Sequence, residues 1–123
     1  MEIKELTRAE EQIMQVLWQL DKGFVKDVLD VLPEPKPAYN TVSTIIRILE
    51  TKGFVGHNAF GKSHEYYPLI SKDAYKDFAA EKLLSGYFDN SVNRILSFFA
   101  KKEKINLKEA DEIMKLIEKL KEK

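Results

Sequence analysis

Residues 40–55 read NTVSTIIRILETKGFV. Apolar residues recur in this segment at helical spacing, until Gly53 interrupts the pattern within a Lys-Gly-Phe sequence. Glycine commonly ends a helix because it adopts the left-handed backbone conformation without steric cost. The segment therefore predicts a helix that begins just beyond Pro37 and ends before Gly53, followed directly by a β-strand.

The predicted helix has two chemically different faces when its residues are placed about 100° apart. The inner face is apolar and comprises Val42, Ile45, Ile46 and Leu49. The opposite face is small and polar and comprises Asn40, Ser43, Thr44, Arg47 and Thr51. Such side chains can bond to base edges and phosphates. This face therefore favours DNA recognition over a plain surface helix, which usually carries more Lys and Glu.

Two helices are expected before this segment. Thr7 and Glu10 form a capping box at the start of a first helix, whose apolar spacing extends over residues 8–20. A shorter helix over residues 25–32 stops at Pro33, because proline cannot continue a helix. Three helices in this order are typical of a helix-turn-helix unit, in which the second helix braces the third.

Two short aromatic segments follow, at residues 54–59 and 64–69, and Gly61 lies in the turn between them. This arrangement predicts a β-hairpin. Pro68 confines its strand to an edge or an end, since proline has no backbone N–H to donate. Three helices and a hairpin wing together predict a winged helix-turn-helix, whose third helix enters a DNA major groove.

The rest of the chain predicts three more helices, capped by Ser71, Asn90 and Asn106, so the fold class is mainly α. We expect a winged-helix DNA-binding domain over residues 1–70 and a helical dimerisation domain over residues 71–123. The second domain is too thin to enclose a core alone, and burial against a second copy of the chain is the simplest explanation. The side chains expected in this interface are Val92, Ile95, Leu96, Phe99, Ile113, Ile117 and Leu120.

Composition excludes several classes of protein. The 123 residues include no cysteine, which excludes disulfides, thiolate metal sites and thiol nucleophiles. No catalytic triad, carboxylate pair or phosphate loop is visible, so we expect neither an enzyme nor a bound cofactor or metal. No apolar run approaches the ~18 residues of a membrane span, and no signal-peptide pattern is present. We therefore expect a cytoplasmic protein without membrane insertion.

Charge is balanced overall, with 20 basic and 20 acidic side chains, but it is unevenly distributed. The basic part of the chain, residues 36–64, carries Lys36, Arg47, Lys52 and Lys62 against Glu50 alone. A local basic segment is the electrostatic footprint of nucleic-acid binding. The zero net charge therefore does not argue against a DNA-binding protein.

Residues 40–55, with their Lys-Gly-Phe ending, resemble the recognition helix and first wing strand of the penicillinase-repressor (BlaI/MecI) family of bacterial winged-helix repressors. LTRAE at residues 6–10 and VLW at residues 16–18 are similar to the family's first helix, and YYPL at residues 66–69 to its second wing strand. The resemblance covers nearly the whole chain. It implies a homodimeric repressor on a two-fold symmetric operator, with DNA read by the N-terminal half and the C-terminal helices interlocked.

The resemblance also implies roles for individual residues. Asn40, Thr41 and Ser43 fall where the family's recognition helix meets bases and phosphates. The staphylococcal resistance repressors carry Lys and Arg at the places of Asn40 and Ser43, so the operator sequence does not carry over to this chain. A membrane sensor protease triggers cutting of the family's repressors at an Asn–Phe pair, which aligns here with Ser97 and Phe98.

Further DNA contacts are expected outside the recognition helix. Lys62 and His64 lie at the predicted wing turn, where they can reach phosphates. Thr7 and Arg8 lie at the start of the first helix, which offers free backbone N–H groups. His57 and His64 flank the wing turn and can approach each other across the hairpin, but no carboxylate or cysteine completes a set of metal ligands with them.

Two other functions remain open at this point. A winged-helix dimer can serve as a protein-interaction module, with its third helix docking a protein partner instead of DNA. A winged-helix regulator can also respond to a small-molecule ligand that shifts its affinity for the operator.

Overall fold

The computed structural model describes residues 3–102 and 106–121, except the side chains of residue 107 and residues 117–121. The described residues form helices and one two-stranded sheet, which confirms the predicted mainly α fold with a hairpin wing. In chain order the elements are α1 (Arg8–Leu20), α2 (Val25–Val31), α3 (Tyr39–Thr51), β1 (Val55–Phe60), β2 (Ser63–Pro68), α4 (Lys72–Tyr87), α5 (Val92–Lys101) and α6 (Leu107–Lys121).

The predicted capping box starts α1. The Thr7 hydroxyl accepts the backbone N–H of Glu10 at 3.2 Å, and the Thr7 N–H donates to Glu10 Oε1 at 2.9 Å. The two bonds satisfy donors that a helix start otherwise leaves without partners.

One apolar core lies between α1, α2, α3 and the base of the wing. Its fully buried members include Met14 and Leu17 from α1, Ile46 and Leu49 from α3, and Phe54 just before β1. Helical spacing places the apolar positions of α1 and α3 on their inner faces. This packing leaves the opposite face of α3 turned to solvent.

Gly53 ends α3 with a φ of 85°, as the sequence predicted. Its N–H donates to the Glu50 carbonyl at 3.0 Å, and the Phe54 N–H donates to the Leu49 carbonyl at 2.9 Å. This C-terminal turn brings the chain directly from α3 into the wing. Phe54 is thereby buried in the core at the point where the helix becomes a strand.

The wing is an antiparallel pair of strands, with Val55 opposite Pro68 at its base and Phe60 opposite Ser63 at its tip. Gly61 turns the chain at the tip with a φ of 62°. A third segment joins the base, because Gly23 exchanges two backbone hydrogen bonds of 2.9 and 2.8 Å with Tyr66. The start of α2 is therefore held beside the wing.

The chain divides into two compact units, and the boundary lies between Ala79 and Ala80 within α4. This boundary is later than the one expected at residue 70, because Tyr75 of α4 is buried in the N-terminal core. The Tyr75 hydroxyl accepts the Leu6 N–H at 3.0 Å. The first turns of α4 therefore belong to the winged-helix unit.

Ser71 and Asn106 cap α4 and α6 as predicted, and their side chains accept backbone N–H groups at 3.0 and 2.8 Å. The prediction that Asn90 caps α5 is wrong. Ser91 is the cap, since its hydroxyl accepts the Arg94 N–H at 3.2 Å. Asn90 instead has a φ of 61° in the turn after α4, a conformation that asparagine adopts more readily than most residues.

Candidate nucleic-acid interface

The outer face of α3 is open to solvent. Asn40, Thr41, Thr44 and Arg47 are exposed and Ser43 is half-buried, whereas the inward-facing residues of the same helix form part of the core. The two faces predicted from helical spacing are therefore present. The polar face is the one available to a partner.

A groove of about 830 Å³ runs between α3, the start of α2 and the wing. Ser43 and Arg47 of α3 line it together with Lys62 and His64 of the wing. Its other lining residues are Phe24, Val25, Lys26, Asp27, Tyr39, Phe60, Ser63 and Tyr66. The fold thus brings four of the predicted DNA-binding residues, from two separate elements, to one groove.

Arg47 is positioned by contacts within its own helix. Its guanidinium donates to the Ser43 hydroxyl at 3.3 Å, and the Thr51 hydroxyl donates to the Arg47 carbonyl at 3.1 Å. Both contacts join residues one helical turn apart, so they orient the polar face without help from the core. The guanidinium retains further donors that can bond to a phosphate or a guanine.

Two lysines of the basic segment 36–64 are occupied in structural contacts. The Lys36 ammonium donates to three carbonyls at the end of α2, at 2.7–3.0 Å, and so closes that helix. The Lys52 ammonium lies 2.6 Å from Glu10 Oε1. Glu10 therefore offsets the charge of Lys52, whereas the neutral carbonyls leave the charge of Lys36 in place. The other two lysine or arginine side chains of this segment are Arg47 and Lys62, and both line the groove.

Lys26 is a groove residue that the sequence analysis missed. It lies in the exposed first turn of α2, which the bridge between Gly23 and Tyr66 holds against the wing. Asp27 beside it accepts the Phe24 N–H at 2.9 Å, so this carboxylate serves the helix start. The sequence does show a basic residue in the first turn of α2. Only the backbone bridge between Gly23 and Tyr66 brings that residue to the groove.

Thr7 and Arg8 lie at the exposed start of α1 and line neither this groove nor the shallower pocket beside Thr44 and Ile48. The capping box already engages the N–H groups of Thr7 and Glu10. Fewer free backbone donors therefore remain at this helix start than at a helix start without a capping box.

His57 and His64 stack across the wing, with ring centroids 4.1 Å apart and planes 8° from parallel. Glu50 Oε2 of α3 lies 2.5 Å from His57 Nδ1, a carboxylate partner that the sequence analysis did not foresee. Burial, with the nearby Glu50 charge, raises the pKa of the Tyr66 hydroxyl. Within the described residues, no group of three or more potential ligands is arranged to hold a metal ion.

Four of the seven residues expected in a dimer interface lie on α5. Val92, Ile95, Leu96 and Phe99 are half-buried within one chain, and Ile113 of α6 is 37% exposed. The other two positions of this set lie outside the described side chains; they are Ile117 and Leu120. Both residues aligned with the family's cleavage site are exposed on α5; they are Ser97 and Phe98.

Comparisons with known proteins agree on one family. The penicillinase repressor family matches residues 6–119. The methicillin resistance regulatory protein MecI of Staphylococcus aureus (strain N315) is 22% identical over 94% of both chains. The penicillinase repressor of Bacillus licheniformis is 21% identical over 94% of this chain and 91% of its own.

A solved structure agrees with the fold. The solution structure of the DNA-binding domain of the repressor BlaI is similar with a TM-score of 0.53 and 25% identity, over 60% of this chain and 92% of that one. In the described part of the chain, no helix combines the length and the apolar character needed to cross a membrane. Because the family match spans most of the chain, this protein belongs to the penicillinase repressor family.

Proposed function

We propose that this transcriptional repressor binds double-stranded DNA as a homodimer and recognises a two-fold symmetric operator. The observation that best supports this proposal is the groove, which Ser43 and Arg47 of α3 line together with Lys62 and His64 of the wing. Together with Lys26, these side chains give the groove more positive than negative charge. Phosphates bind such surfaces, and their contacts fix the register of a protein on the duplex.

Base reading falls to the exposed first turns of α3. Asn40, Thr41 and Thr44 project from this part of the helix, and their side chains offer the donors and acceptors that base edges require. Ala38 at the helix start supplies no side-chain hydrogen bond to the first N–H groups of α3. A DNA phosphate can therefore accept hydrogen bonds from this helix start.

Dimerisation is assigned to the C-terminal unit. The apolar side of α5 carries Val92, Ile95, Leu96 and Phe99, none of which is fully buried within one chain. A second copy with the same apolar side provides a matching surface, as in other two-fold interfaces. Two linked recognition helices then bind two half-sites far more tightly than one helix binds one half-site.

Loss of this dimer is the proposed route to release from DNA, through a membrane sensor protease system and cleavage at Ser97–Phe98. Both side chains are exposed, and Phe98 keeps 45% of its surface accessible. No side chain of α5 is fully buried within one chain, so this ten-residue helix should open more readily than the helices that form the N-terminal core. Mass mapping after co-expression with a candidate sensor protease tests the site, and uncut protein under inducing conditions contradicts it.

The test of DNA binding is selection from random duplexes with the full chain, followed by affinity measurements over a range of salt concentrations. We expect a two-fold symmetric site whose affinity falls steeply with salt. Arg47→Ala should weaken binding to that site by about 1–3 kcal/mol. Lys76→Ala removes one positive charge from an exposed residue of α4 and serves as the matched control.

The outcomes distinguish the functions left open above. A chain that selects no duplex contradicts the proposal and favours a protein-interaction module. An asymmetric selected site contradicts the proposed operator symmetry. Release of DNA by a small molecule, with the chain intact, contradicts proteolytic control and favours a ligand-responsive regulator.

A further inference from the structure

A hydrogen bond between two side chains connects α3 to the wing. Glu50 lies in the last turn of α3, and its carboxylate is 2.5 Å from Nδ1 of His57 on β1. Both side chains are about two-thirds buried, with 32% of Glu50 and 31% of His57 exposed. A charge-assisted hydrogen bond is shorter and stronger than a neutral one. This contact therefore fixes the distance between the helix and the first wing strand.

The contact continues to the tip of the wing. The His57 ring stacks on His64 of β2, and both rings lie near the buried Tyr66, at centroid distances of 5.7 and 6.1 Å. His64 is adjacent to the turn that carries Lys62. A continuous series of side-chain contacts thus runs from α3 to the part of the wing that faces the groove.

The outer wing has few other restraints. Residues 58–64 are all exposed, and an isolated two-stranded hairpin is only marginally stable in water. Phe60 contacts Phe24 at a centroid distance of 5.9 Å, on the side of the start of α2. The side facing α3 is held by the Glu50–His57 pair and the histidine stack.

We propose that Glu50 is a positioning residue for DNA binding, which acts by tying the wing to the recognition helix through His57 and His64. It sets the distance between Arg47 on α3 and Lys62 at the wing tip, so that both reach phosphates of one duplex. This inference rests on the proposed DNA-binding function. It gives a role to an acidic residue that the DNA-binding surface does not otherwise need.

If Glu50 acted only through its charge, removing it would change the affinity for DNA in the opposite direction. A carboxylate beside a DNA-binding groove repels phosphates, so its removal should tighten binding if it contributes only charge. If Glu50 positions the wing, its removal should weaken binding, because a phosphate contact is lost. Glu65 provides the matched control, since it also lies on the wing but on the strand face opposite to His64 and Tyr66.

The experiment compares Glu50→Ala and Glu65→Ala in the full chain, by titration of the selected duplex at several salt concentrations. We expect Glu50→Ala to weaken binding about tenfold and to reduce the salt slope by about one phosphate contact. Glu65→Ala should leave the slope unchanged and the affinity equal or higher. Equal or tighter binding by Glu50→Ala with an unchanged slope overturns the inference.

A double-mutant cycle with Lys62→Ala separates positioning from a general loss of structure. Lys62→Ala should cost less affinity in the Glu50→Ala background than in the wild type, because the wing contact is already impaired. Additive effects overturn the inference. The cycle of Lys62 with Glu65 controls for direct charge coupling.

A measurement without DNA keeps the inference testable if the proposed function fails. Backbone order parameters from nuclear magnetic resonance should fall at residues 60–64 in Glu50→Ala and not in Glu65→Ala. Unchanged order at the wing tip overturns the inference. A wild-type chain that binds no duplex contradicts the proposed function alone, since the order parameters report the wing contact independently. If Glu50→Ala unfolds, Glu50→Leu provides the same readouts, because leucine keeps much of the side-chain volume but cannot accept a hydrogen bond from His57 Nδ1.

Discussion

The N-terminal and C-terminal units of this chain bury their apolar side chains to very different extents. Among the side chains that the structure describes, every buried hydrophobic one lies between Leu6 and Tyr75. In the unit that begins at Ala80, no described side chain is buried, although Phe98 and Leu116 are large and apolar. The first unit has a core of its own, whereas the apolar side of the second remains accessible in a single chain.

This difference indicates how the two units are stabilised. A core that encloses its apolar side chains gains free energy from burial within one chain. An amphipathic helix such as α5, with half-buried Leu96 and Phe99, gains most of that free energy only when another surface covers it. We therefore expect mutations to lower the stability of the first unit at any concentration, and to act on the second unit through association.

The largest effect is expected from Phe54→Ala, which opens a cavity in the N-terminal core. Phe54 is fully buried, so the substitution should lower the free energy of unfolding by about 3–5 kcal/mol. Phe98→Ala in the C-terminal unit should cost about 1 kcal/mol or less at low protein concentration, since Phe98 is 45% exposed. Urea denaturation measures both, and similar costs for the two would contradict the comparison.

Leu96→Asp should act on association instead of folding. A charge on the apolar side of α5 must be desolvated in a dimer, so we expect the dissociation constant to rise about 100-fold or more. Asn93→Asp adds the same charge at an exposed position of the same helix and should leave the dimer intact. Sedimentation equilibrium measures both variants. A Leu96→Asp chain that dimerises like the wild type places the interface elsewhere.

One ion pair in each unit allows the pH dependence of stability to be compared between the two units. Burial alone raises the pKa of Glu10, but the hydrogen bond from Lys52 and those at Thr7 outweigh it, so the pKa lies below its ordinary value of 4.5. A depressed pKa stabilises the fold above that value, and the contribution is lost as pH falls through the folded-state pKa. Glu10→Gln should therefore cost about 1.5–3 kcal/mol at pH 7 and progressively less towards pH 3.

The matched pair in the C-terminal unit is Asp111 and Lys115, 3.1 Å apart and largely exposed. Asp111→Asn should change the free energy of unfolding by less than about 0.5 kcal/mol at any pH, because solvent screens such pairs. Denaturant titrations from pH 3 to pH 7 measure both substitutions. If Glu10→Gln lowers the free energy of unfolding by the same amount at every pH, the Glu10 carboxylate does not contribute to the pH dependence of stability.

A smaller effect than that of Glu10→Gln is expected from the helix caps. Thr7→Ala removes the cap of α1 and should cost about 1 kcal/mol of global stability, since α1 contributes to the core. Ser91→Ala removes an equivalent bond at α5 and should speed amide hydrogen exchange in that helix alone. Amide hydrogen exchange and urea denaturation, measured on the same samples, test these two substitutions. An equal global cost for both would show that α5 folds as one unit with the core.

Much of the fold could be predicted because its signals are local. The capping box at Thr7, the glycine at position 53 and the apolar spacing of α3 each depend on a few neighbouring residues. The prediction for Asn90 failed by one position because asparagine suits both a helix cap and a left-handed turn. The following Ser91 could fill the cap equally well.

The candidate site was predicted only in part. The polar face of α3 follows from helical spacing, and the wing residues follow from the hairpin. Lys26 and Glu50 were not predicted, because their contacts join elements whose packing cannot be inferred from the spacing of neighbouring residues. The charge count likewise included Lys36 and Lys52, which the structure uses to close α2 and to pair with Glu10.

The sequence alone determined the order of helices and strands, the two faces of α3 and the family resemblance, since periodicity and capping act within a few residues. Only the tertiary structure determined which charges remain available and how the wing is held. Those properties depend on contacts between distant residues, such as Lys52 with Glu10 and His57 with Glu50. The backbone bridge between Gly23 and Tyr66, which brings Lys26 to the groove, is of the same kind.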